Sequence, residues 1–305
     1  MTNFKFRGIF MEKYWVVKTD FLNKENQKIV NEFLLNMKVA NKSFYTINNI
    51  RYFMQAFFKE QEVSYSSLVS NDIQEWLLKQ DKGFKENTIR YRVSALSQFY
   101  TFCVEEGYMD KSPIKSRWMP RNSKPVPRYL NRKEIAKVRQ QAEHSFLRDR
   151  VILEFLVTSG CRVGEVYQLD KKDVNLENRT AQVVGKGSKI RQVHFSEKCN
   201  LLLERYLQSR KDDHPALFIS SKKDPTRLSI RRIARILERM GKRAKLSGPL
   251  HPHRLRHTFA TELLAKGADL LFIADELGHS DITTTRIYAR LPKQEIISMY
   301  RKYMG

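Results

Sequence analysis

Apolar residues recur at helical spacing through the first third of the chain and predict four amphipathic helices. The apolar positions of these helices are Ile29, Val30, Phe33, Leu34 and Met37; Ile47, Ile50, Phe53, Met54 and Phe57; Ile73, Trp76 and Leu77; and Ile89, Val93, Leu96, Tyr100 and Cys103. Asn87 is a good N-cap for the fourth helix. Short connections between amphipathic helices favour a small bundle over residues 20–111, preceded by an irregular arm at residues 1–19.

A stretch rich in proline and basic residues, 112–130, interrupts the helical pattern. Its prolines stand at positions 113, 120, 125 and 127. Proline removes a backbone donor and disfavours both helix and sheet, so the stretch is expected to be an extended linker. It predicts a domain boundary.

The pattern of residues 131–305 differs from that of the first segment. Asn131 and Glu134 form the sequence signature of a capping box, and the apolar run VILEFLVTSG occupies 151–160. The sequence TAQVVGKGSKIRQVHF (180–195) predicts two short strands around a Gly185-Lys186-Gly187 turn. Further helices are expected at about 197–209 and 229–243. The second domain is therefore predicted to be mainly helical with a small sheet.

The charge balance is strongly basic. The 305 residues include 56 Lys and Arg against 33 Asp and Glu, a formal net charge of +23. A chain this basic usually meets a polyanion, and solubility alone gives no reason for such a cationic excess. A membrane surface is the other polyanion to consider, but no apolar run approaches the length of a bilayer span. Charged residues interrupt the start of the chain, so no signal peptide is expected there.

The cysteine count points to a reducing compartment. Cys103, Cys161 and Cys199 are odd in number, widely spaced and without a CxxC pair. This pattern fits a reducing cytosol and neither a disulfide frame nor a zinc site. The sequence also shows no Asp/Glu cluster that would hold Mg²⁺, so the expectation is a cytoplasmic protein without metal or other cofactor.

Basic residues outside the second domain are candidates for DNA contact. Lys85, Arg90 and Arg92 lie on or just before the fourth helix, and Lys124 and Arg128 lie in the linker. Such residues could follow a phosphate backbone, or they could form ordinary solvated surface. The helical pattern alone leaves both interpretations open.

Four polar clusters in the second domain are candidates for chemistry. They contain Arg162 with Glu165; Lys186 between two glycines; His253 with Arg256; and His279 with Tyr288. Three of them have an ordinary explanation when taken alone: a surface ion pair, a turn lysine and a packing aromatic. The cluster at 251–257 is hard to explain as core, because it holds three histidines and two arginines within seven residues. The histidines at 251, 253 and 257 are poor zinc ligands, because neighbouring arginines repel a cation and no Cys or acidic ligand joins them. Arginine forks favour an anion site there.

Together the clusters suit phosphoryl transfer without a metal. Preorganised cations stabilise the charge that gathers on the non-bridging oxygens of a phosphodiester in its transition state. A tyrosyl oxygen can attack the phosphorus and hold it as an ester. Lysine or histidine can supply the proton that the leaving 5′ oxygen needs.

The order Arg162, Glu165, Lys186, His253, Arg256, His279, Tyr288 resembles the tyrosine recombinase (phage integrase) family. The strings that carry the resemblance are TSGCRVGEVYQL, GKGSK, HPHRLRHTFATELL and LGHSDITTTRIYAR. The resemblance covers nearly the whole chain, and its two-domain layout is most similar to Xer-type recombinases. It implies a mainly α protein with a small β-sheet, in which an N-terminal helical core-binding domain and a mixed α/β catalytic domain at 131–305 form a C-shaped clamp on DNA.

The resemblance also implies residue roles. Arg162 and Arg256 would clamp the scissile phosphate, and His279 would hydrogen-bond a non-bridging oxygen. Lys186 would protonate the leaving 5′ hydroxyl, and His253 would assist proton transfer at Tyr288. Glu165 would orient Arg162. Tyr288 would form a 3′-phosphotyrosyl link, and two rounds of exchange through a Holliday junction would recombine two duplexes without ATP.

The implied partner is double-stranded DNA carrying a specific site, bound by a homotetramer in the cytoplasm at the nucleoid, with no membrane. The apolar tail, 292–305, is expected to dock into the neighbouring protomer. A second recombinase or an accessory protein stays open as a further partner, and chromosome dimer resolution, cointegrate resolution and integration all stay open as the task. The rival interpretations are a type IB topoisomerase-like nicking and closing enzyme and a DNA-binding protein that has lost catalysis.

Overall fold

The computed structural model describes residues 13–79, 83–84, 86–119, 128–185 and 189–278. The chain divides into two compact units, residues 1–124 and 125–305, and each is considered by itself. The finer division into arm, core-binding domain, linker and catalytic domain stays a prediction.

Helices dominate the first unit, as the apolar spacing predicts. They are α1 (Lys24–Val39), α2 (Phe44–Phe58), α3 (Ser70–Lys79) and α4 (Glu86–Glu105). Asn23 and Ser43 cap the first two by accepting hydrogen bonds from backbone N–H groups of the first turn. The N-cap prediction for α4 is wrong, because the helix already includes Glu86 and Asn87 lies within its first turn.

Aromatic rings form the core of the first unit. Phe99 of α4 lies edge to face against two rings. Its centroid is 5.5 Å from that of Phe33 in α1 and 5.2 Å from that of Phe58 in α2. Two segments expected to be irregular also contribute to this core. Val17 is buried in it, and Trp118, in a 3₁₀ turn at Ser116–Trp118, packs against it. Residues 13–19 and 112–119 therefore pack onto the bundle rather than extending away from it.

The second unit contains seven helices within its described residues. They are α5 (Arg132–Glu143), α6 (Leu147–Ser159), α7 (Val163–Gln168), α8 (Glu197–Gln208), α9 (Ile230–Arg243), α10 (Pro252–Ala265) and α11 (Leu270–Leu277). The predicted capping box at the start of α5 is confirmed: the Asn131 side chain accepts from the Glu134 N–H, and the Glu134 carboxylate accepts from the Asn131 N–H. None of the helices in the described ranges is long and apolar enough to cross a bilayer.

Helix α6 is the centre of the second unit. Its apolar run is not confined to one face, and ten of its residues are buried, which is the pattern of a helix surrounded by other elements. It packs against α5, α8, α9, α10 and the small sheet. Its C-terminal end is therefore fixed from several sides, and this end leads into the first polar cluster.

A three-stranded antiparallel sheet completes the second unit. Its strands are β1 (Val174–Asn175), β2 (Thr180–Val184) and β3 (Ile190–His194). The predicted β2–β3 pair is confirmed, with Gln182 opposite Gln192; the short β1 was not predicted. Val183 and Val193 face the core, whereas Lys186 at the turn lies outside the described residues.

The chain turns sharply at Gly160, where α6 ends. Gly160 has φ +61°, in the left-handed region, and a Cβ placed on it would lie 2.3 Å from Cδ1 of the Phe259 ring on α10. A side chain at this position is therefore excluded both by backbone strain and by lack of space.

Gly160→Ala should lower the free energy of unfolding by roughly 2–4 kcal/mol, because the left-handed strain and the clash with Phe259 add. Urea unfolding followed by circular dichroism measures it. Gly164→Ala, in α7, is the matched control. A Cβ there meets no atom within 4 Å, so its stability should be unchanged or slightly raised. Equal stability of the two variants would contradict this account.

Candidate active site

The turn at Gly160 delivers Arg162 to the start of α7. Cys161 is buried immediately after the turn, and Arg162 follows as the N-cap residue with extended backbone angles. The Arg162 side chain is one-third exposed. Its guanidinium is thus held at one end by the protein and open to a ligand at the other.

A buried carboxylate, Glu165, holds this arginine. Its Oε2 accepts the Arg162 backbone N–H at 2.7 Å, and its Oε1 accepts Arg162 Nη1 at 2.9 Å. Arg191 of β3 also donates to Glu165, with Nη1 2.7 Å from Oε1 and Nη2 3.1 Å from Oε2. Burial alone raises the pKa of Glu165, but the hydrogen bonds from Arg191 and Arg162 outweigh it and hold the pKa below its ordinary value. Glu165 is therefore ionised at neutral pH.

The second predicted arginine, Arg256, reaches the same place from α10. It is buried, and its Nη1 donates to the Gly160 carbonyl at 2.8 Å. Its Nη2 donates to the Leu277 carbonyl at 2.6 Å, the same oxygen that Arg162 Nη1 approaches at 3.4 Å. One main-chain oxygen at the end of α11 thus lies between the two guanidinium groups. The structure brings together two arginines that are 94 positions apart in the sequence.

His253 lies on α10 one turn before Arg256. Its pKa is lowered from the ordinary histidine value, first by burial and then by the positive charges of Arg256 and Arg162. The ring is therefore kept neutral near pH 7 and is able to accept a proton. The same two arginines that attract an anion thus tune the nearby histidine.

Three predicted catalytic residues, Lys186, His279 and Tyr288, lie outside the described residues. The described neighbours of two of them do border the cluster. Gly185 lies beside Glu165, since a Cβ on it would be 3.6 Å from Glu165 Oε1. The Gly278 carbonyl is 3.4 Å from Arg162 Nη2. The chain therefore enters both segments directly at the Arg162–Glu165 pair.

The predicted DNA-binding residues are only partly described. Lys85 and Lys124 lie outside the described residues. Arg90 and Arg92 lie in α4, half-buried, and Arg92 stacks over the Phe84 ring with Cζ 4.1 Å from its centroid. Arg128 is exposed in the second unit. A role in DNA contact stays a prediction for all five.

The sequence interpretation missed two features. Arg191 carries no motif, and only the fold reveals that it pairs with Glu165. Helix α9 presents a row of exposed basic side chains opposite its buried apolar face: Arg231, Arg232, Arg235, Arg239, Lys242 and Arg243. The basic row of α9 can be recognised in the sequence, because a helical projection of residues 230–243 places the basic and the apolar residues on opposite faces.

This arrangement is chemically an anion site. Two guanidinium groups pair with the Glu165 carboxylate, and a third, that of Arg256, donates to main-chain carbonyls, so these three arginines together outweigh the one carboxylate. Guanidinium forks match phosphate oxygens in shape and in charge. Within the described parts of the chain no group of three or more His, Cys, Asp or Glu side chains could hold a metal ion.

Comparison with known proteins agrees with this geometry. Residues 128–295 match the phage integrase family. The chain is 32% identical over 303 residues to the tyrosine recombinase XerC of Mannheimia succiniciproducens, covering 95% of both chains.

Solved structures extend the similarity to the fold. The crystal structure of XerA recombinase matches with 27% identity and a TM-score of 0.54, covering 91% of this chain and 98% of XerA. XerH site-specific recombinase bound to a palindromic difH substrate, in a post-cleavage complex, matches with 22% identity and a TM-score of 0.70, covering 95% of this chain and 92% of XerH. The chain therefore belongs to the phage integrase family and is a Xer-like tyrosine site-specific recombinase.

Proposed function

We propose that the cluster around Glu165 is the phosphate-binding half of a strand-exchange site, which Lys186, His279 and Tyr288 complete. The observation that carries the proposal is the convergence of Arg162 and Arg256 on one point, the Leu277 carbonyl, two positions before His279. Two preorganised guanidinium groups at one point are what a phosphodiester needs as its non-bridging oxygens gain charge.

The proposed reaction begins at Tyr288. Its hydroxyl oxygen attacks the scissile phosphorus while His253, kept neutral by its surroundings, accepts the proton. The bond from phosphorus to the 5′ oxygen breaks, Lys186 gives that oxygen a proton, and a 3′-phosphotyrosyl ester remains. His279 and the two arginines hold the non-bridging oxygens. A 5′ hydroxyl from the partner duplex reverses the step, so the ester conserves the energy and no ATP is needed.

The DNA partner is supported by charge and by the relatives. The chain carries a net charge of +23, and the matched XerH structure contains its difH substrate. We propose a clamp around double-stranded DNA, with Arg90, Arg92 and the basic row of α9 along the phosphate backbone. Because the substrate is DNA, the proposed enzyme works where bacterial DNA lies, in the cytoplasm at the nucleoid. The topoisomerase-like alternative is not favoured, since the relatives are recombinases.

A homotetramer on two sites completes the proposal, with the tail of one protomer, residues 292–305, docked on the next. A groove of about 690 Å³ in the second unit supports it. Phe259 and Leu263 of α10 line this groove, and Phe272 of α11 lies at its edge with half of its surface exposed. The apolar residues that line this groove match those in the sequence of the tail, Ile296, Ile297, Met299 and Tyr300.

Tyr288→Phe should abolish covalent attachment to DNA, because it removes the attacking oxygen and little else. Wild type incubated with a nicked substrate carrying its recombination site should form an adduct that survives denaturing electrophoresis. The variant should bind the same DNA with unchanged affinity. An adduct that persists in the variant shows that another residue is the nucleophile.

Cleavage should depend on the protonation of His253. Its pKa in the free protein lies below the ordinary value of 6.5, so the ring accepts a proton at pH 7 and loses that capacity as the pH falls through the lowered pKa. The second-order cleavage rate, which reports free-enzyme groups, should therefore decline on the acid side only below pH 6.5. His253→Gln should be slower and should lack this decline. A decline centred above pH 6.5 contradicts the assignment.

Removing the tail after Leu291 should prevent tetramer assembly on DNA and leave a folded monomer. Phe272→Glu should have the same effect, because it places a charge at the edge of the groove while the side chain is already half exposed. Analytical ultracentrifugation with two-site DNA measures the assembly, and circular dichroism checks the fold. Tetramers that survive both changes rule out docking in this groove.

A further inference from the structure

Arg191 occupies a position that no motif assigns. It lies on β3, three positions after residue 188, where the undescribed stretch 186–188 ends, and its side chain is 15% exposed. A guanidinium group is costly to remove from water unless its donors are satisfied. The hydrogen-bond partners of the Arg191 side chain therefore indicate why an arginine occupies position 191.

The main partner is the carboxylate that also holds Arg162. Arg191 meets Glu165 with two parallel hydrogen bonds, one to each carboxylate oxygen, whereas the Arg162 side chain makes one. Two-point pairing is the stronger geometry, so Arg191 is the principal counter-ion of Glu165. Arg191 therefore offsets the negative charge of Glu165 at Oε1, the same oxygen that the Arg162 side chain contacts.

Arg191 also contacts the backbone on both sides of the cluster. Its Nε donates to the Glu276 carbonyl near the end of α11 at 3.3 Å. A Cβ on Gly278 would lie 2.9 Å from Arg191 Nε, so that glycine packs directly on the guanidinium stem. A Cβ on Gly185 would be 3.8 Å from Arg191 Nη1. The Arg191 side chain therefore lies beside both Gly185 and Gly278, which immediately precede Lys186 and His279.

We propose that Arg191 is a positioning residue for strand cleavage: it satisfies Glu165, so that Arg162 keeps its positive charge for the scissile phosphate. Without Arg191, Arg162 is the one cation among the described residues that still hydrogen-bonds the buried carboxylate. The phosphate must then compete with Glu165 for the Arg162 guanidinium. With Arg191 present, Glu165 still holds Arg162 in place, and the positive charge of Arg162 stays available to the phosphate. This inference rests on the proposed function, because it concerns the same phosphate.

A purely structural role has different consequences. A buried arginine that only stabilises the fold affects cleavage in proportion to the folded fraction, whatever the charge of the substrate. An arginine that frees Arg162 affects cleavage most when the scissile phosphate carries its full charge. The two roles therefore separate when the charge of the phosphate is changed.

The first experiment compares Arg191→Gln, Arg191→Lys and wild type in single-turnover cleavage of the nicked site-containing DNA. We expect Arg191→Gln to cleave roughly 10- to 100-fold more slowly, as is usual when the partner of a catalytic ligand is removed. Arg191→Lys should be intermediate, because lysine keeps the charge but makes no fork. DNA affinity should change by less than about threefold, since backbone contacts elsewhere dominate it.

Arg148→Gln is the control for loss of stability. Arg148 is also a buried arginine paired with a buried carboxylate, Asp149, and its other acceptors are the Ile219 carbonyl and the Ser221 hydroxyl. These hydrogen-bond partners do not belong to the cluster around Glu165. Thermal melting should show destabilisation for Arg148→Gln, and cleavage measured well below its melting temperature should match wild type.

The deciding experiment uses DNA with an uncharged methylphosphonate at the scissile position. The proposal predicts that Arg191→Gln slows cleavage of this substrate by less than about threefold, because an uncharged phosphorus centre needs less cationic charge in the transition state. In a Glu165→Gln background, Arg191→Gln should likewise reduce the cleavage rate by less than about threefold, since no carboxylate then competes with the phosphate for Arg162. Arg191→Lys serves the same comparison if the glutamine variant does not fold.

An equal cost on both substrates, or wild-type cleavage by Arg191→Gln, overturns the inference while wild type still forms the adduct. Absence of an adduct with wild type itself contradicts the proposed function instead. The two failures are therefore distinguishable in the same set of reactions.

Discussion

The buried carboxylate of Glu165 is the constraint on which the candidate site depends. An ionised acid removed from water requires donors at both oxygens, and here those donors come from α7 itself and from β3. Satisfying that one charge fixes where the helix starts, where the strand passes and how the first arginine is aimed. Because breaking such a pair leaves a buried charge without a partner, the arrangement resists partial loosening. The need to pair the buried carboxylate of Glu165 therefore sets the position of Arg162 in the anion site.

Much of the fold was predictable because its signals are local. Apolar spacing located most of the helices, and the Asn131–Glu134 capping box was confirmed to the residue. The four polar clusters were recognised because residue types and intervals are visible in a line of text. The start of α4 was wrong, since Asn87 is a good cap only by type, and helix ends depend on the flanking backbone.

The rest depends on contacts between distant positions. Nothing in the strand IRQVH marks Arg191 as the partner of Glu165, 26 positions earlier. The steric need for Gly160 becomes visible only when the Phe259 ring is placed against it. Lys186, His279 and Tyr288 carry the chemical part of the proposal, and their roles follow from their motifs in the sequence, since they lie outside the described residues.

The convergence of both arginines on the Leu277 carbonyl has a genetic consequence. The acceptor is a main-chain oxygen, so every residue type at position 277 supplies it, and substitution there changes only the buried side chain. The constraint falls instead on the next position. Gly278 has φ +61° and packs on Arg191, so any side chain at that position distorts the turn that aims the carbonyl. Selection for this contact therefore acts on position 278, one residue after the leucine whose carbonyl accepts both arginines.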